Sequence, residues 1–175
     1  AIMANFEPAF ARLMAEEGVK LSNNPADRGR QTYAGVSRKR HPDWIGWRFV
    51  DAGGIPPFDM VRDFYREKYW TQIRGDQINS QRVAEALFSQ CVNNEDAGIR
   101  LMQIVVGVIL DGKVGPKTVA AINNATEHLR ISPEDAVLML YSAAHSKRYH
   151  AIGMKDKTQR TFWPGWWARA MRIVK

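Results

Sequence analysis

A single cysteine, Cys91, is the feature that most limits how these 175 residues can fold. With no partner thiol there is no internal disulfide, so the fold must stand on its apolar core and would also survive a reducing compartment. The length suffices, since a chain of this size buries roughly 70% of the surface its unfolded form exposes. Cys91 itself lies among Ala86, Leu87, Phe88 and Val92, where a buried structural thiol is the expectation rather than a nucleophile.

The longest apolar stretch, Ile104 to Leu110, carries a glycine and falls well short of the roughly 20 residues that cross a bilayer. No transmembrane segment is expected. The N-terminus shows no basic region leading into an apolar one, so no secretory signal is expected either. A net charge of +7 favours an anionic partner. Nucleic acid, membrane and bacterial wall all qualify on charge alone.

Hydrophobic spacing predicts a mainly α chain. Phe6, Phe10, Leu13, Met14 and Glu17 recur at helical intervals after Asn5, a suitable N-cap, and Gly18 ends the pattern. Val19 to Val36 is rich in turn residues and predicts a loop or, at most, a small β-hairpin. Further helices are expected around Val61–Tyr69, Ser80–Val92, Gly98–Val106, Lys117–Asn123 with Pro116 at its first position, and Pro133–Tyr149 capped by Ser132. The tail closes with Phe162, Trp163, Trp166, Trp167 and a short basic amphipathic segment. Its aromatic rings either pack the two halves together or touch the wall or membrane. The expected division falls near Glu95, giving an N-terminal region 1–94 and a helical C-terminal region 95–175 packed on it.

Glu17 stands out because the helical wheel puts it in the middle of the apolar stripe, with Glu16 about 100° away. A carboxyl held in apolar surroundings has its pKa raised, which is what a general acid for glycosidic cleavage needs. The plainer reading is an exposed glutamate at a helix end. Asp27 follows in the polar loop and would supply the second carboxylate that such chemistry requires. Thr32 would position a water beside it through its hydroxyl; in the plainer reading Asp27 is a turn residue and Thr32 a strand residue.

Together, the helix closing on Glu17-Gly18, the run Asn24-Pro25-Ala26-Asp27-Arg28-Gly29, Thr32, and Gly35-Val36 resemble the N-acetylmuramidases of glycoside hydrolase family 108 from phages and bacteria. The blocks Phe64–Trp70, Ala86–Phe88 with Val92-Asn93, and Asp111–Thr118 extend the likeness over nearly the whole chain, the last resembling the start of a peptidoglycan-binding-type segment. The resemblance implies a lysozyme-like fold, Glu17 as catalytic acid, and no metal or other cofactor. It departs at Val19 and Arg30, where the family pattern has glycines. A gap-free alignment of the loop would move the acid to Glu16, but the distance from Phe6 and the apolar face both select Glu17.

Tyr33, Trp44, Trp47 and Trp70 are candidate sugar-stacking surfaces, with core packing the simpler account of each. The expected function is thus a phage endolysin-like lysozyme, cutting between N-acetylmuramic acid and N-acetylglucosamine. The resemblance also implies a holin for export; the enzyme is expected to be a monomer, made in the cytoplasm and acting on the wall in the periplasm after release. One alternative is a non-catalytic wall-binding protein. Another is a nucleic-acid binder using Arg38-Lys39-Arg40-His41, although no recognised nucleic-acid motif accompanies that cluster. A zinc hydrolase is disfavoured, because His41, His128, His145 and His150 form no His-Glu-x-x-His pattern.

Overall fold

The computed structural model describes residues 3–18, 20–23, 31–127 and 133–174, with Glu17, Asn23, Glu127 and Pro133 described by backbone only. The chain is mainly α and divides into two compact units, Asn5–Thr71 and a second running from Gln72 onward together with the N-terminal residues up to Ala4. No described helix is long and apolar enough to cross a membrane.

In the first unit, helix α1 spans Phe6–Glu17, as the spacing predicts. Asn5 caps it by accepting from the Glu7 amide at 2.9 Å. Gly18 ends it at φ 72°, a backbone setting that glycine adopts without a Cβ penalty. A three-stranded antiparallel sheet follows: β1 (Leu21–Asn23), β2 (Gln31–Tyr33) and β3 (Val36–Ser37), in that order. Thr32 stands opposite Ser22 on one side and Ser37 on the other. The expected hairpin is therefore extended by a third strand. The two-residue turn Ala34-Gly35, with φ of 46° and 80°, sets the tight β2–β3 return.

Two helices complete the unit: α2 (Trp47–Asp51) and α3 (Phe58–Tyr65). The latter runs into one π-helical turn, Arg66–Trp70, closed by the Thr71 amide bonding to the Arg66 carbonyl at 2.9 Å. The wider turn matters because it lets Tyr65, Tyr69 and Trp70 all face inward, where an α-helix would rotate one of them out. Phe6, Phe10 and Leu13 of α1 pack with Val61, Tyr65 and Trp70 to form the core. The buried Tyr65 hydroxyl donates to the Ala34 carbonyl at 2.8 Å, tying α3 to the sheet turn.

The second unit is helical: α4 (Gln81–Asn93), α5 (Glu95–Val106), α6 (Pro116–Glu127), α7 (Pro133–Lys155) and α8 (Trp163–Arg172). Ser80 and Asn94 cap α4 and α5 through their side chains. Gly98 lets these two helices close up, since a Cβ there would stand 2.9 Å from Cys91 Sγ and 3.0 Å from the Cys91 backbone nitrogen. Cys91 is buried and free, and burial pushes its thiol pKa up, away from reactivity. Pro116 takes the first position of α6. Buried Gln103 holds the turn before it, donating to Asp111 at 2.8 Å and accepting from the Gly112 amide at 3.0 Å. Ser132, the expected cap of α7, lies outside the described residues.

Candidate active site

Helix α1 sets the position of the proposed acid. Phe10, Leu13 and Met14 are all buried, and Glu17 follows Leu13 by four residues and Met14 by three, the intervals that share a helix face. It is the last helical residue. Glu16, in contrast, is directed to Arg12, with Oε1 3.8 Å from the guanidinium Nε. Asp27 lies outside the described residues. The described residues that flank it in sequence, Asn23 and Gln31, pair with one another in the sheet. Thr32 is next to Gln31 in β2 and half-buried.

Arg38 braces the β2 side of this region. Its guanidinium donates to Gln31 Oε1 at 2.6 Å and grips both carboxylate oxygens of Asp51, at 2.7 and 2.6 Å. It also lies over the Trp47 ring, 5.1 Å from the centroid. The hydrogen bond to Arg38 holds the Asp51 carboxyl below its usual pKa, and Asp51 in turn raises that of Arg38. Sequence reading placed Arg38 in a basic cluster suited to nucleic acid; in the structure its guanidinium is engaged at the surface, tying Gln31 of β2 to Asp51 of α2.

The four aromatic candidates are used unequally. Trp70 is fully buried against Phe6, with 5.8 Å between ring centroids, and presents no face to a ligand. Trp47 is buried too, and its indole donates to the His41 carbonyl at 2.8 Å. Tyr33 is buried and stacks on Trp44 at 6.3 Å, its pKa raised by desolvation. Packing accounts for all three rings. Trp44, although mostly buried, lines a groove of about 470 Å³ with Ile45 and Phe64, edged by the carboxylates of Asp59, Asp63 and Glu67. These acids recur every four residues along α3 and its π turn, and Arg62 lies 3.9 Å from Asp59 and 3.6 Å from Asp63.

His41 figures in the sequence as part of the basic cluster and among the histidines that form no zinc pattern. Its Nε2 lies 3.1 Å from the Tyr69 hydroxyl and its ring meets Phe64 edge-on at 4.9 Å. Burial lowers its pKa, and Lys68 and Arg40 lower it further, so the ring is neutral at pH 7. Neutral His41, Tyr69, Phe64 and Trp44 thus form one contiguous cluster behind the groove. An aromatic wall beside acceptors is the chemistry that holds a sugar, with ring faces against apolar C–H groups and carboxylates receiving hydroxyl protons. Among the described residues, no group of three or more His, Cys, Asp or Glu side chains is arranged to hold a metal ion.

Comparison with known proteins gives these features a context. Residues 10–94 match the family described as Glycosyl hydrolase 108, and residues 97–171 match the family described as Predicted Peptidoglycan domain. No curated protein matches the chain. Among solved structures it is similar to SagA of Brucella abortus, with 25% sequence identity and a TM-score of 0.75 over 97% of this chain and 91% of that one. Between them the two matches span most of the chain, a region similar to glycosyl hydrolase 108 followed by one similar to a peptidoglycan domain.

Proposed function

We propose that the protein is a peptidoglycan hydrolase that cleaves the glycan strand between N-acetylmuramic acid and N-acetylglucosamine. The observation that carries this reading is the pairing of a glycosyl hydrolase 108 region with a peptidoglycan domain in one chain. The first supplies the reaction class and the second the polymer. Glu17 is the proposed proton donor, delivering its proton to the glycosidic oxygen as the C1–O bond breaks. Asp27 is the proposed second carboxylate, which stabilises the developing cation, attacks it, or activates water; Thr32 is proposed to orient that water. The position of Glu17 after Leu13 and Met14 on α1, and the engagement of Glu16 with Arg12, support this choice of acid. Trp44 and the acid-edged groove are the proposed sugar contact in this unit.

A phage endolysin role, with synthesis in the cytoplasm, a holin partner for export and action as a monomer on the wall, belongs to the same proposal. Reducing-end analysis of fragments released from purified peptidoglycan tests it. Muramic acid at the new reducing ends is the expected result. Reducing glucosamine ends would assign the other glycosidic bond, and 1,6-anhydromuramic ends would mean that no water is added and the enzyme is a transglycosylase.

A further inference from the structure

The chain's positive charge is not spread along it. Residues 144–175 hold eight Lys or Arg against one Asp, a net +7, while residues 1–143 are balanced, with 17 basic and 17 acidic. Apart from Lys175, which lies outside the described residues, the excess belongs to the end of α7, the connection after it, and α8.

Helix α8 shows an uncharged arc to solvent. Its inner side carries Ala170 and Ile173, both buried, and the Ala170 carbonyl accepts from the Ser142 hydroxyl of α7 at 2.9 Å. Its exposed residues are Pro164, Gly165, Trp167, Ala168 and Met171. None is charged; Arg169 and Arg172 sit half-buried at the side. Solvent-facing arcs of water-soluble helices are ordinarily polar, and one that is apolar has something to cover it.

This face is rigidly built. Trp163 is fixed by its indole donating to the Tyr149 carbonyl at 3.0 Å and by lying on Gly153, where a Cβ would come within 2.4 Å of the ring. Trp167 stacks on Trp163 at 5.3 Å, and Arg160 covers Trp163 at 5.2 Å. Trp167 stays 42% exposed and Met171 55% exposed.

We propose that this face seats the protein on an anionic lipid bilayer, with α8 lying in the plane of the interface. Trp167 and Met171 enter the boundary between headgroups and acyl chains, and Arg160, over Trp163, with Arg169 and Arg172 of α8 meet the lipid phosphates. A hydrated anionic polymer would account for the charge alone. Its sugars offer apolar C–H faces to a ring such as Trp167 but no apolar phase for Pro164, Ala168 and Met171, which share the arc. The inference does not depend on which glycan bond is cut.

The full chain should be tested with phosphatidylcholine vesicles carrying about 30% phosphatidylglycerol, and with phosphatidylcholine alone. The expected result is co-sedimentation with the anionic vesicles, a blue shift of tryptophan emission, and quenching by lipids brominated in their acyl chains. Replacing Trp167 and Met171 together by serine should weaken this partitioning about tenfold or more, because both side chains leave water on binding. Trp167→Arg alone should also weaken it, despite the added positive charge. The proposal is overturned if anionic vesicles do not bind the chain, if binding comes without blue shift and quenching, or if Trp167→Arg binds more tightly. The last two outcomes would mean adsorption by charge alone, which duplex DNA or a wall polyanion would reproduce.

Discussion

His145 gives a stability that depends on pH in a calculable way. It sits in α7 only 2% exposed, and neither ring nitrogen has a hydrogen-bond partner among the described residues. Tyr141 meets it edge-on at 4.6 Å, and Tyr149 lies 6.0 Å away. Burial, with smaller contributions from Arg148 and Arg169, lowers its pKa from 6.5 to about 3. A histidine depressed in this way is neutral in the fold while the unfolded chain accepts a proton below pH 6.5. Stability is therefore intact at pH 7.5, falls as the pH drops below 6.5, and stops falling near the folded pKa. Between pH 7.5 and 5.0 the loss comes to about 2 kcal/mol, and it would be nearly the same for a folded pKa one unit higher. His145→Leu removes the titrating group and an unsatisfied polar ring at once. At pH 7.5 it should be neutral or stabilising by about 1 kcal/mol, and the pH-dependent loss should shrink by about 2 kcal/mol. Urea denaturation of both chains at the two pH values, followed by far-UV circular dichroism, measures the difference. An unchanged pH dependence in the variant would refute the reasoning and mean that His145 protonates in the folded state.

Two further substitutions probe each unit separately. Tyr65→Phe leaves the buried Ala34 carbonyl without its 2.8 Å donor and should cost about 1–2 kcal/mol in urea denaturation. Gly98→Ala presses a methyl onto Cys91 Sγ and neighbouring backbone atoms at 2.9–3.1 Å; because backbone cannot swing aside, a loss of about 1–3 kcal/mol is expected, seen as a lowered Tm.

Most helices are legible in the sequence because their ends carry local chemistry. Asn5 and Gly18 bracket α1, Ser80 opens α4, and Pro116 opens α6, each through a cap or backbone preference that needs no tertiary information. The limits of that reading are equally local. Helix α7 continues to Lys155, six residues past Tyr149, and Gly153 in this added turn is the flat seat for Trp163. The π turn at Arg66–Trp70 has no signature in residue spacing, since an interval of five fits neither helix nor strand periodicity. Helix α2 was missed because only five residues form it. In the candidate site, the helix that carries the proposed acid is readable from periodicity. The brace from Arg38 to Asp51 and the contact between His41 and Tyr69 join residues 13 and 28 positions apart, and single-sequence patterns do not encode such pairs.

The central claim, that Glu17 is the acid of a glycan-cleaving site, is tested most directly by clearing of a peptidoglycan suspension with the wild-type chain, Glu17→Gln and Glu16→Gln, each checked for native circular dichroism. Clearing by the wild type and by Glu16→Gln, with none by Glu17→Gln, is the predicted result. Clearing retained by Glu17→Gln, or lost only in Glu16→Gln, would contradict it.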